Sequence, residues 1–365
     1  MKLAINLTLS ALMLGLCLWL VWPGGDDIDK LKDAFGHLRW HDFAPYLAAY
    51  FGLQVVVHLC RSLRWNNLLA PLGVKIPAGP LLAISSVGFM AILALPVRLG
   101  EFVRPGLIRK HGVSASGALG TVAVERIVDG LLISLLVFGC FFAARGPSSP
   151  GWMMPTAYVA LGVFAAALVF LVFAMWRAQP TVTFCMKLTL LPRFAPRIAT
   201  AIEAKLLEMI RGLGVLKDRK NLAIFLAWSL VYWTANGLGV WVLARAFGLD
   251  LSLVGGFAVM GLVGVGISLP NAPGLVGQFQ WFTLLGLSVY LGADVVKDGT
   301  SLRAVCLAYA ITQHLFQVAW YVGMGALGLA SPWVSIADLR IARRKVAPDE
   351  PAGDARVDVA PDATT

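Results

Sequence analysis

Six ionisable side chains fall in two short stretches of an otherwise apolar chain. Arg98, Glu101 and Arg104 surround the pair Pro96 and Gly100, and Glu125, Arg126 and Asp129 follow within one helical turn of each other. Glu125 and Asp129 are four residues apart, which puts both carboxylates on one face of a helix. Guanidinium forks of this kind grip a phosphate through paired hydrogen bonds, and neighbouring carboxylates can orient them or exchange protons. The same six groups would also make a closed ion-pair network that only holds two segments together, and both readings stand at this level. Asn271 and Gln278 flank a second Pro- and Gly-rich break and could line a polar path. Gln313, His314 and Gln317 lie on the last long apolar run, Gln313 and Gln317 on one face; a lone histidine there reads as a packing residue. Arg64, beside Trp65, reads as an interfacial anchor.

The candidate substrate-binding set is therefore Arg98, Glu101, Arg104, Glu125, Arg126, Asp129, Asn271 and Gln278. Nothing resembles a GxSxG elbow, a P-loop, HExxH or a dinucleotide fingerprint. No catalytic residue, metal or cofactor is expected.

The surroundings of these groups decide what they can do. The chain has 365 residues, 58% hydrophobic and only 14% charged, with mean hydropathy +0.77. Soluble domains carry roughly 25% charge. The apolar residues come in runs: Leu3–Trp22, Phe43–Cys60, Ile76–Val97, Val113–Ala144, Trp152–Trp176, Asn221–Phe247, Leu251–Leu269, Leu275–Gly292 and Ser301–Ala330. About 20 residues cross ~30 Å of hydrocarbon as a helix, and backbone amides in lipid must pair within their own segment. The expectation is an all-α polytopic membrane protein. The first run lacks a small-residue cleavage site after Leu20-Val21-Trp22-Pro23, so it reads as a retained helix. The stretch Ile198–Leu216 has the pattern of an interfacial amphipathic helix. The five cysteines form no CxxC pair and read as packing residues. The net charge of +10 reflects loop placement rather than nucleic-acid binding.

Of the 30 basic residues, 22 cluster at the N-terminus, between the second and third runs, after the third, between the fifth and sixth, and in the tail. The positive-inside rule puts all of these in the cytoplasm, with both termini. A single crossing by every run would put the most basic loop, Arg177–Lys220, outside. The conflict vanishes if Ile76–Val97 enters from the cytoplasm and returns, turning at Leu95-Pro96-Val97-Arg98-Leu99-Gly100. Leu251–Gly292, broken at Leu269-Pro270-Asn271-Ala272-Pro273-Gly274, must start and end outside; charge parity leaves open whether it is re-entrant or spans twice. Each half, about 1–146 and 147–335, then has two spanning helices, a broken hairpin and a long helix. Paired broken segments in opposite orientation are the sign of an inverted-repeat transporter, with its site near the breaks. Residues 336–365 should form a disordered cytoplasmic tail.

The motifs carry a family resemblance. Leu95-Pro96-Val97-Arg98-Leu99-Gly100-Glu101-Phe102-Val103-Arg104 resembles LPxRxGExxR, Val124-Glu125-Arg126-Ile127-Val128-Asp129 resembles VERxxD, and Leu269 to Gly277 resembles LPxxPGxxG. Arg64-Trp65 matches the RW pair after the second helix. These are motifs of the lysylphosphatidylglycerol synthase transmembrane, or flippase-like, family, over roughly residues 5–335. The resemblance is to the flippase half of the multiple peptide resistance factor without its aminoacyl-transferase domain, so the chain is not expected to attach an amino acid to a lipid. It implies a translocase in a bacterial-type inner membrane. Its cargo would be an anionic phospholipid, an aminoacylated lipid or a polyprenyl-phosphate-linked lipid. The competing expectations are a non-transporting partner of a glycosyltransferase or lipid-modifying enzyme, and an embedded lipid-phosphate enzyme.

Overall fold

The computed structural model describes residues 14–22, 25–95, 100–143, 151, 153–188, 193, 196–268, 273–335 and 337–338. Among the described residues there are helices and turns but no strand, as lipid-exposed backbone requires. In chain order the helices are α1 (14–21), α2 (Gly25–Gly36), α3 (Trp40–Leu63), α4 (Trp65–Leu69), α5 (Ala78–Ala94), α6 (Val103–Leu107), α7 (Ala115–Ala143), α8 (Met153–Trp176), α9 (Ala178–Leu188), α10 (Pro196–Arg211), α11 (Arg219–Ala246), α12 (Leu253–Ser268), α13 (Gln278–Leu291) and α14 (Ser301–Ala330). The segments Trp40–Leu72, Ala115–Ala143, Met154–Trp176 and Arg219–Ala246 are long and apolar enough to cross a membrane. The five cysteines are unpaired, and Cys17, Cys60 and Cys306 are buried as small apolar groups.

Two ends of the bundle differ in charge. At one end, Lys110 Nζ bonds the Trp333 carbonyl, and the Trp333 ring covers Gly79 at the start of α5. The backbone at Gly212, just past α10, packs on Gly117 and Gly120 in the first turns of α7, and Pro71 lies against Gly214. The segments before α5, after α6, around α10 and after α14 therefore share this end, which collects the basic clusters. α10 lays Ala199 against Val182 and Met186 of α9, the apolar stripe expected of an amphipathic helix. At the opposite end, Lys30 Nζ bonds Gly299 O at 2.6 Å, Arg303 bonds Leu20 O at 3.3 Å and Phe43 meets Phe247 edge-on at 5.7 Å.

Both broken segments are hairpins. Past the first break the chain turns back along α5: Gly100 abuts the backbone of Ala91 and Ile92, and Arg104 lies over Gly88. Sequence number rises on one arm as it falls on the other, so the arms are antiparallel. A Cβ at residue 100 would overlap the α5 backbone, which is why glycine stands there. The return through α6 ends at Lys110, at the end of the bundle where α5 began. In the second hairpin Gly266 pairs with Phe282 and Val259 with Gly286, so α12 and α13 are antiparallel and both open at the other end. At ~1.5 Å per residue, α5 (17 residues), α12 (16) and α13 (14) reach only about 21–26 Å, short of the ~30 Å hydrocarbon layer. Inside the bundle α5 touches the 3₁₀ turn Pro273–Leu275, which begins the return arm of the second hairpin.

Small residues set these approaches. Gly130, Gly237 and Gly266 receive the rings of Phe164, Phe257 and Phe282 where a Cβ would stand. Such sockets let helices pack closely without help from water exclusion.

Candidate functional site

Glu125 and Asp129, one turn apart on α7, both face the C-terminal end of α3. Arg64, between α3 and α4, reaches them with both guanidinium nitrogens. Nη1 bonds Asp129 Oδ1 at 2.8 Å and Ser229 Oγ at 2.9 Å; Nη2 bonds Asp129 Oδ2 at 2.6 Å and Glu125 Oε1 at 3.1 Å. Arg104, on the return arm of the first hairpin, bonds Glu125 Oε2 at 2.5 Å. Arg126 bonds Glu125 Oε1 at 3.3 Å, and Trp233 Nε1 bonds Asp129 Oδ1 at 3.2 Å. The Arg104 guanidinium also lies 4.2 Å over the Trp65 ring, whose Nε1 is fixed by Thr121 Oγ1 at 2.9 Å. Arg64 and Glu125 are 0% exposed. Buried charges survive only with this kind of pairing, because the desolvation cost is otherwise uncompensated.

The interfacial-anchor reading of Arg64 is thus corrected. The helix does not end near Cys60: α3 runs to Leu63 and α4 follows directly. Arg64 is the hub of the network, and its neutralising carboxylates lie on α7, far away in sequence.

Beside this network lies a cavity of about 470 Å³. Its wall takes Ile92, Leu93 and Glu101 from the first hairpin, Ile267, Ser268 and Leu275 from the second, and Arg126 and Asp129 from α7. Gln313, His314 and Gln317 come from α14, and Arg61 from the last turn of α3. The Arg61 guanidinium is 3.9 Å from the Phe89 ring centroid and bonds Tyr321 Oη at 3.2 Å. It has no carboxylate partner among the described residues. Aromatic faces hold a cation in place but do not neutralise it.

A family model described as the lysylphosphatidylglycerol synthase TM region matches residues 4–325. The chain belongs to this family. No curated protein and no solved structure matches it. As a member, it is an all-α multi-pass membrane protein, and both Pro- and Gly-rich breaks read from the sequence lie within the matched region.

Of the expected site residues, Glu101, Arg126 and Asp129 line the cavity. Glu125 and Arg104 are behind its wall, in the ion-pair network. Gln278 does not line it either. Its side chain is 2% exposed and its Nε2 donates to Gly266 O at 2.8 Å. That carbonyl stands four residues before Pro270, which has no N–H to offer it, so Gln278 caps a broken helix. Arg98 and Asn271 lie outside the described residues. Sequence reasoning missed Arg61, which it counted as a loop charge; the signal was its spacing, three residues before Arg64 on a continuous helix.

Proposed function

We propose that this protein is a lipid translocase, with the cavity holding the headgroup of an anionic lipid while the acyl or polyprenyl chains stay in the bilayer. One observation carries the reading: two broken hairpins that open at opposite ends of the bundle both line one cavity, largely apolar but carrying Arg61, Glu101, Arg126 and Asp129. That arrangement suits a gate on each side of one central site, as in transporters built from inverted repeats. Arg61 and Arg126 supply the cationic wall suited to a phosphate, and Arg64 with Arg104 fixes the frame behind it. The basic end would face the cytoplasm. In this reading nothing is chemically transformed, and the cargo is an anionic phospholipid, an aminoacylated lipid or a polyprenyl-phosphate-linked lipid.

The test is movement of a fluorescent phosphatidylglycerol, and separately of a polyprenyl phosphate, in liposomes holding the purified protein. Wild type should move at least one of them, and Arg61→Gln should lose most of that activity while keeping its thermal stability. Absence of movement with folded wild-type protein, with and without a proton gradient, would replace the translocase with a non-transporting partner of a lipid-modifying enzyme or glycosyltransferase.

A further inference from the structure

The second hairpin is fastened by a histidine rather than by charge. His314, midway along α14 and 5% exposed, stacks on Phe279 with centroids 4.8 Å apart and planes 10° from parallel. Its Nδ1 is 2.8 Å from Gln280 Nε2. The Gln280 amide is fixed in orientation, because its Oε1 accepts the Gly277 N–H at 2.9 Å and so caps the start of α13. Gln280 therefore donates and Nδ1 accepts, which assigns the ring proton of neutral His314 to Nε2. Nε2 makes no hydrogen bond of good geometry among the described residues, the Gly274 backbone lies beside the ring, and His314 lines the cavity.

A second proton can only go to Nδ1, where it would set a donor against a donor. The Gln280 bond must then break, or the amide must invert and give up the Gly277 N–H. Either change loosens the first turn of α13. The neighbouring backbone is strained there, since Leu275 (φ 58°) is held in the left-handed region that non-glycine residues rarely adopt.

We propose that His314 is a proton-binding site, reached from the cavity, whose protonation releases the first turn of α13 and links lipid movement to protons. The latch stands on its own geometry; only its coupling to lipid rests on the translocase reading. From α13 the ring meets Gln280 and Phe279, and from the break the Gly274 backbone. Across the cavity are Glu101 after the first break, Arg126 and Asp129 on α7, Tyr50 and Arg61 on α3, Tyr232 on α11 and Tyr321 on α14. None of these forms an ion pair with His314 among the described residues.

The experiment follows maleimide labelling of Ser268→Cys at the hairpin tip, read at that peptide by mass spectrometry at about pH 5 and about pH 8, the range over which imidazoles commonly titrate. Each rate is divided by that of the same cysteine in a His314→Asn background, which keeps an acceptor for Gln280 but cannot take a proton; the thiol's own pH response then cancels. The ratio should be near one at the higher pH and rise about tenfold at the lower, the size of a 1.4 kcal/mol change in an opening equilibrium. A ratio of one at both overturns the latch. Should His314→Asn not fold, Gln280→Glu replaces it: its carboxylate accepts from both Gly277 and protonated His314, so the tip should be held closed at low pH, and an unchanged opening on acidification overturns the proposal. Movement of phosphatidylglycerol and of polyprenyl phosphate, each measured in the same proteoliposomes, separates the two readings. Acid-dependent labelling without movement removes the translocase and leaves the latch, whereas movement with flat labelling does the reverse.

Discussion

The two hairpins have similar geometry but are fastened by different chemistry. The first is tied to the bundle by charge: Arg104 on its return arm pairs with Glu125, which Arg64 and Arg126 also hold. The second is tied by neutral groups: Gln278 to the Gly266 carbonyl, and Gln280 between Gly277 and His314. Separating a buried ion pair leaves charge without solvent, whereas neutral bonds exchange at far lower cost. This contrast suits a first hairpin that stays in place and, under the latch proposed above, a second that lets go. If a transport cycle moves one tip more than the other, this difference says which.

The sharpest challenge to that contrast is Glu125→Gln. It leaves three guanidiniums, those of Arg64, Arg104 and Arg126, sharing Asp129 as the remaining carboxylate of the network, and should destabilise the fold by about 3–5 kcal/mol; thermal unfolding in detergent measures it. Gly100→Ala comes next. Its methyl would overlap the α5 backbone, an overpacking defect of about 1–3 kcal/mol, and the return arm should become open to proteolysis near residue 100. In the second hairpin, Gln278→Leu strands one buried carbonyl, a loss of about 1–2 kcal/mol. If it proves as damaging as Glu125→Gln, the distinction between a charged and a neutral fastening fails. The smallest effect belongs to a control outside both hairpins. Asp218 caps α11, accepting the Asn221 N–H at 3.0 Å and its side-chain Nδ2 at 2.6 Å. The Asn221 side-chain bond, then its backbone bond, lowers the Asp218 pKa below the ordinary carboxylate value. Its contribution is therefore present above that ordinary value and fades as pH falls through the lowered one. Asp218→Ala should shift the melting temperature slightly at neutral pH, and the gap from wild type should close in acid.

Much of this was legible in the sequence. Apolar runs marked the helices, Pro96 and Pro270 marked the breaks, and the spacing of Glu125 and Asp129 put them on one face. The basic clusters also announced that both flanks of the first hairpin share an end. Arg61 and Arg64 were not legible, because an apolar window stops at charge while a helix stops only when its backbone does. Their partners on α7, α5 and α14 come from distant segments. Gln278 was read as lining by its likeness in position to Glu101. The better signal was arithmetic on the proline: a helix carbonyl four residues before Pro270 needs a donor from elsewhere. The His314–Gln280 bond joins residues 34 apart, and no local pattern links them.

The glycine sockets for Phe164, Phe257 and Phe282 separate two properties that hydropathy treats as one. Alanine at Gly130, Gly237 or Gly266 would make the chain slightly more oil-soluble and a better helix former. Such a variant would be threaded into the bilayer as readily as the native chain, with every span in its proper orientation, and would then fail to close around its own aromatic rings. Delivery to the membrane and attainment of the finished shape are judged by different residues here, and an assay of the first is blind to the second.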